Sequence, residues 1–239
     1  MPCATTRDNR SVPTSVVTLP APVMLFDLDG TLTDSAPGIL AGFRHALASV
    51  GAPEPSDELL AEVVGPPMID TFRRLGFDAE DTDRALAAYF EYYDAGGGWA
   101  QNTVFEGIEP ILVDLVARGV RLGVATSKSE RFAHRILDHF GLAQYFAFIG
   151  GASDDLTRRA KADVIAHTLR GLGIAPVAAA DGGTADVVMV GDRDHDVDGA
   201  TRWGIPTVFV GWGYGTGDEN AGAAWTVADM SQLAAMLRG

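Results

Sequence analysis

The run Val23-Met24-Leu25-Phe26 is apolar at every position and is followed at once by Asp27-Leu28-Asp29-Gly30-Thr31. A strand this short and uniformly apolar is buried on both faces, and such strands belong to parallel sheets covered by helices. The pattern recurs at residues 120–125, 146–149, 187–190 and 207–210. Segments with helical spacing lie between them, at 108–118, 130–140, 162–172 and 197–203. This alternation predicts an α/β fold, a doubly wound, mostly parallel sheet with helices on both faces. The carboxyl ends of such strands line one edge, so residues that follow each strand meet there although distant in sequence.

Between the first strand and residue 120 the pattern changes. Residues 37–50, 57–64, 67–75 and 81–93 read as helices with no strand among them, and Ile39, Phe43, Ala46, Leu47 and Val50 recur at helical spacing. Gly96-Gly97-Gly98 reads as a linker back to the sheet. The expected organisation is a flexible N-terminal extension at 1–21, a core at 22–34 and 105–239, and a small helical domain inserted at 35–104. Cys3, the single cysteine, falls in the extension, so no intramolecular disulfide forms. The extension lacks the apolar stretch of a secretory signal. No apolar run of about 18 residues offers a membrane span. The default address is the cytoplasm.

The formal net charge of −14 opposes nucleic acid polymers and anionic membrane surfaces as partners. A small phosphorylated metabolite then needs a local cation, and the 18 basic residues include just two lysines, Lys128 and Lys161. Any lysine-dependent step uses one of these.

Four stations carry chemistry. Asp27 and Asp29 stand two apart, so both carboxylates can face one way on extended backbone. Val124-Ala125-Thr126-Ser127-Lys128 brings a hydroxyl and N–H groups to a second strand end, with Ser127 or Ser129 also suited to capping the next helix. Lys161 opens a helix beside Arg158 and Arg159. Asp192 and Asp196 lie four apart in Gly191-Asp192-Arg193-Asp194-His195-Asp196, where a helix begins. Asp27, Asp29 and Asp192 can converge at the sheet edge, and clustered carboxylate oxygens suit hard Mg²⁺. His195 reads as a solvated loop residue. His45, His134, His139 and His167 are scattered without metal-ligand spacing. Gly211-Trp212-Gly213-Tyr214-Gly215 lacks the Lys-Ser/Thr ending of a nucleotide-binding loop and reads as a loop beside the site.

Taken in order, Asp-Leu-Asp-Gly-Thr, Thr-Ser-Lys, Lys161 and Gly-Asp-x-x-x-Asp resemble the four motifs of the haloacid-dehalogenase superfamily. The resemblance runs from Val23 to the C-terminus, and the helical insert is similar to that superfamily's helical cap. Gly65-Pro66-Pro67, the stretch from Gly191 to Ala200, and Gly211 to Gly215 most resemble the phosphoglycolate phosphatase group and some bacterial 5′-nucleotidases.

That resemblance implies a Mg²⁺-dependent phosphatase of small phosphomonoesters. Asp27 would attack phosphorus to give an aspartyl-phosphate, with Asp29 as acid and base. Mg²⁺ would be held by Asp27, the Asp29 carbonyl and Asp192, with Asp196 orienting its shell. Thr126, Ser127 and Lys161 would hold the phosphoryl oxygens, and Gly65, Pro66 and Pro67 would help choose the leaving group. Residues 35–104 contain no lysine, which removes Schiff-base phosphonoacetaldehyde hydrolysis, and Asp29 favours phosphoryl transfer over dehalogenation. A β-phosphoglucomutase-like phosphomutase shares all four stations. A phosphoaspartate receiver or a non-catalytic binding protein are the readings from other classes; the helical insert disfavours the first, and the presence of Asp27, Asp29 and Lys161 disfavours the second.

Overall fold

A computed structural model describes residues 18–155 and 157–238, so most of the expected N-terminal extension, with Cys3, lies outside the described residues. In chain order the elements are β1 (Val23–Phe26), β2 (Thr33–Asp34), α1 (Ala36–Ser49), α2 (Asp57–Ala61), α3 (Met68–Arg74), α4 (Ala79–Phe90) and β3 (Thr103–Val104). There follow α5 (Ile108–Ala117), β4 (Arg121–Ser129), α6 (Glu130–His139), β5 (Phe148–Ala152) and α7 (Lys161–Gly171). The chain continues with β6 (Val187–Gly191), α8 (Asp194–Thr201), β7 (Thr207–Val210), β8 (Trp225–Val227) and α9 (Met230–Arg238).

Six strands form one parallel sheet in the order β5-β4-β1-β6-β7-β8. This is the α/β arrangement that the apolar runs predict. β1 sits between β4 and β6, with Phe26 level with Val124 and Val190. Its side chains alternate. Met24 and Phe26 join a core with Leu112, Leu115, Ile136 and Leu233, while Val23 and Leu25 join another with Val164, Ile165, Leu169 and Ala200. Both faces of β1 are thereby closed to water, at about 1.5–3 kcal/mol for each large apolar side chain fully buried. Asp27, next along the strand, emerges at the edge between β4 and β6, its N–H bonded to the Val190 carbonyl at 2.9 Å.

The helices between β2 and β3 bury their own cluster, in which Phe43 stacks on Phe72 with centroids 5.8 Å apart. Phe132 of α6 joins this cluster and meets Tyr93 edge to face, tying the insert to the sheet layer. Two features differ from the sequence expectation. The stretch before residue 120 does contain strands, because β2 and β3 pair antiparallel at the two ends of the insert, Thr33 with Val104 and Asp34 with Thr103. The glycine run is flanked by helical turns, a π-helical turn over Glu91–Ala95 and a 3-10 turn over Gly98–Ala100, and its last glycine is buried. A Cβ on Gly38 of α1 would run into the Gly98 carbonyl, so small residues allow that close approach. β8 and α9 complete the sheet and one helical layer without a corresponding sequence expectation.

Phe43 is fully buried at the centre of the insert. Phe43→Ala is expected to cost about 3–5 kcal/mol through lost burial and a residual cavity. Urea unfolding would read this as a lower midpoint with the slope unchanged.

Candidate active site

The site is assembled from three strand ends, those of β1, β4 and β6, and the start of α7. The Lys161 ammonium, first residue of α7, lies 2.9 Å from Asp27 Oδ1 and 2.7 Å from Asp196 Oδ1, and donates to the Ala125 carbonyl at 3.0 Å. All three side chains are buried. Gly199 of α8 makes room for the lysine, since a Cβ there would press on the Lys161 stem. Burial alone would lower Lys161, but Asp196 and Asp27 more than offset it and hold the ammonium protonated above its usual range. Burial likewise pushes Asp27 up, and Lys161, with smaller contributions from His195 and Thr126, brings it below the ordinary carboxylate value. Asp27 Oδ1 also accepts from the Leu28 N–H at 2.8 Å.

Asp192 is fully buried at the end of β6. Thr31 donates its hydroxyl to Oδ1 at 2.9 Å, and the Tyr214 N–H donates to Oδ2 at 2.8 Å. Among the described residues no lysine or arginine is paired with it. Burial first, then the charges of Asp196 and Asp27, push its carboxyl up to about 8. Of the three buried carboxylates, Asp27 and Asp196 take the one ammonium and Asp192 has none, and that excess of negative charge asks for a further cation. The backbone leaves a cradle at this carboxylate: Gly30, at φ +82°, and Gly213 both stand where a Cβ would strike Asp192. Ligand atoms of Asp27, His195 and Asp196 also come within 4.8 Å of one another. Lys161 already sits against Asp27 and Asp196, so the place that lacks a cation is the Asp192 side. Carboxylate oxygens of this kind suit a hard divalent ion.

Asp29 pairs with Lys128 at 2.9 Å, and the same ammonium donates to the Tyr93 hydroxyl at 2.9 Å. Lys128, the second lysine, is thus a partner of Asp29 and joins the sheet edge to the insert. Thr126 is buried at the end of the regular part of β4, where the register with β5 shifts between Ala125 and Ser129. Its hydroxyl accepts the Lys128 N–H at 3.2 Å, closing a turn around Ser127. Ser129 occupies the N-terminal flank of α6 but does not cap it; its hydroxyl donates to Asp154 at 2.8 Å instead.

The structure therefore brings together Asp27, Asp29, Thr126, Ser127, Lys161, Asp192 and Asp196. Asp27, Asp29, Thr126 and Ser127 line a cavity of about 520 Å³ between the sheet edge and the insert, and Gly65, Pro66 and Pro67 line it from the insert. Sequence reasoning missed several members. His195, read as solvated, borders the same cavity. Arg193 donates to the Val64 carbonyl at 2.8 Å and pairs with Glu219 at 2.7 Å, holding the turn before Gly65. The Tyr214 hydroxyl donates to Asp34 at 2.7 Å and accepts the Ser35 N–H at 2.7 Å. The aromatic residues in the 211–215 loop and at the end of α4 were the available signal, but their partners lie far off in sequence.

A parallel sheet whose central strand delivers one carboxylate against a buried lysine, with a second acidic pair at the next strand end, places an acidic, lysine-buttressed pocket at the edge of an α/β core. The haloacid dehalogenase-like hydrolase family model matches residues 24–210, and the chain belongs to that family. It is 53% identical over 196 residues to the tyrosine-protein kinase PtkA of Mycobacterium tuberculosis, a match covering 82% of this chain and 64% of that protein. The chain thus spans less than two thirds of that relative's length. It is 40% identical over 199 residues to a 5′-nucleotidase of Pseudomonas aeruginosa, covering 83% of this chain and 86% of the relative. The crystal structure of a predicted phosphatase from Clostridium acetobutylicum superposes with a TM-score of 0.81 at 37% identity, covering 91% of this chain and 98% of that one. No helix among the described residues is long and apolar enough to cross a membrane.

Asp192 yields a pH prediction for the metal-free protein. Unfolded, its carboxyl loses its proton near pH 3.9, whereas folded it keeps it to about 8, so the folded state binds the extra proton between them. Its contribution to stability is full below the lower value and is lost as pH rises toward 8. In chelator-treated protein, Asp192→Asn is expected to flatten the fall in melting temperature between pH 6 and pH 8.5. An unchanged slope would contradict the assignment.

Proposed function

We propose that the chain is a Mg²⁺-dependent phosphatase of small phosphomonoesters that works through an aspartyl-phosphate on Asp27. The observation that carries this reading is Asp27 itself, a buried carboxylate kept anionic by Lys161 at the floor of the cavity. Its Oδ1 is held by Lys161 and the Leu28 N–H, so Oδ2 is the oxygen assigned to attack.

In the first step Asp27 Oδ2 forms a bond to phosphorus as the ester P–O bond breaks, and Asp29 gives the departing oxygen its proton, releasing an alcohol. In the second, Asp29 takes a proton from water, whose oxygen attacks the phosphoryl group and returns Asp27 as carboxylate with inorganic phosphate released. Thr126 and the Ser127 N–H hold the phosphoryl oxygens through both steps, and Lys161, expected from the motif to join them, gives its three N–H groups to Asp27, Asp196 and the Ala125 carbonyl and acts through Asp27. Asp27, the Asp29 carbonyl and Asp192 would hold Mg²⁺, with Asp196 orienting its shell. When bound, the ion supplies positive charge that offsets repulsion between carboxylate and phosphate. The helical insert at 35–104 acts as a cap that excludes bulk water, hinged at the β2–β3 ribbon.

Two ester classes compete within this reading: phosphoglycolate, which the sequence motifs favour, and nucleoside 5′-monophosphates, which the Pseudomonas relative supports. The identity to PtkA supports a second reading, transfer of a phosphoryl group to protein tyrosine. Gly211 to Gly215 lacks the lysine of a nucleotide-binding loop, so that reading needs ATP held another way.

Phosphate release from a panel of esters separates these. Turnover with Mg²⁺ is expected to fall to background with EDTA and by at least about a thousandfold in Asp27→Asn. Turnover indifferent to Asp27 would sink the mechanism. Label moving from ATP to a tyrosine peptide, with no ester hydrolysed, would replace it with the kinase reading.

A further inference from the structure

The cavity above Asp27, at about 520 Å³, lies within the range of about 300–1,000 Å³ that takes a whole small organic ligand. One wall is a continuous row of rings. Phe90 meets Tyr89 edge to face at 5.4 Å, Tyr89 stacks on Tyr93 at 5.4 Å, and Tyr93 meets Phe132 edge to face at 5.1 Å. All four line the cavity. Phe90, at the outer end of the row, is 47% exposed, a large apolar ring open to solvent on the rim of a site. The Tyr93 hydroxyl, partway along the row, takes the Lys128 ammonium that holds Asp29, so the row passes beside the proposed acid.

The charges in the cavity tell the other half. Lys128 is paired with Asp29, Arg131 with Asp94, Arg159 with Asp70 and Arg193 with Glu219. Among the described residues, these four lysine and arginine side chains are all that line it, and each already faces a carboxylate. A leaving group that brings its own carboxylate finds no lysine or arginine free of a carboxylate partner and meets Asp29 and Asp154 in the wall. A flat, uncharged ring finds aromatic faces and edges, contacts that are favourable beyond the area they bury.

We propose that the site selects phosphomonoesters whose leaving group carries an uncharged aromatic ring, and selects against small anionic leaving groups such as glycolate. The proposal rests on the reading of Asp27 as the phosphoryl acceptor. Phe90 and Tyr89 contact the ring, and Lys128, already committed to Asp29, contributes nothing to a second anion.

The test compares esters whose leaving alcohols are of similar acidity, so that chemistry does not mask recognition: benzyl phosphate, ethyl phosphate, uridine 5′-monophosphate and 2-phosphoglycolate, with the full chain and Mg²⁺. The ring-bearing esters are expected to exceed ethyl phosphate and 2-phosphoglycolate in kcat/KM by about tenfold or more. Phe90→Ala should lower the uridine-to-ethyl ratio, since the base of the nucleotide reaches farther from the phosphoryl group than a benzyl ring does. Uridine monophosphate above benzyl phosphate identifies a nucleoside as the source of the ring, and the reverse order identifies a simple aryl group. If 2-phosphoglycolate equals or exceeds the ring esters while Asp27→Asn abolishes turnover, the proposal is overturned and the phosphatase reading stands. If no ester turns over, the phosphatase reading fails by itself, and calorimetry decides the selectivity. Benzylphosphonate binding more tightly than phosphonoacetate then supports it, and equal or weaker binding overturns it.

Discussion

The Lys161 ammonium holds three parts of the protein in register. It meets Asp27 from β1, Asp196 from α8 and the Ala125 carbonyl from β4, so one buried charge fixes the relative position of the central strand, its neighbour and two helices. Losing one partner of such a buried group costs about 3–5 kcal/mol, because the remaining charge is left without compensation. The arrangement also sets the chemistry. With the lysine committed to Asp27 and Asp196, Asp192 is the carboxylate without a cationic partner, and its carboxyl rises to about 8. The divalent cation that the proposed mechanism needs and the surplus of negative charge at the sheet edge are two views of the same fact.

The insert is connected to this centre through hydroxyls. Tyr93 receives the Lys128 ammonium that pairs with Asp29, and Tyr214 uses its backbone N–H on Asp192 and its hydroxyl on Asp34 and Ser35, where α1 leaves the β2–β3 ribbon. Ser35 makes no side-chain cap on α1, and the tyrosine oxygen takes its place at the first N–H groups of the helix. Arg193 adds a third link through the Val64 carbonyl. Movement of the insert would therefore be felt at Asp29 and at Asp192, the two carboxylates assigned to proton transfer and to the cation.

The parallel sheet was legible because β1, β6 and β7 are apolar at nearly every position, a pattern that only two-sided burial explains. The acidic stations were legible for the same reason, since each follows such a strand directly. The β2–β3 ribbon was not, because two residues per strand leave no periodicity to read. Nor was the row of rings: Tyr89, Tyr93 and Phe132 look like ordinary core positions on two different helices until tertiary contact lines them up. The loop that carries Tyr214 was legible as lying beside the site, but its bonds to Asp192 and Asp34 were not, nor was the place of His195 beside Asp27, because those partners lie far off in sequence. α8 begins at Asp194, three residues before the expected start, because the Asp196 carboxylate accepts the Arg193 N–H at 3.1 Å and closes the first turn.

The most direct test of the central claim is to catch the covalent state. The enzyme would be mixed with a turned-over ester and Mg²⁺, quenched in acid within the burst, digested and mapped by mass spectrometry. A phosphoryl group on the peptide carrying Asp27, assigned to that residue and absent when Lys161 or Asp27 is replaced, is the predicted result. A phosphoryl group on Asp29 or on a tyrosine, or turnover with none trapped at Asp27, would contradict the account.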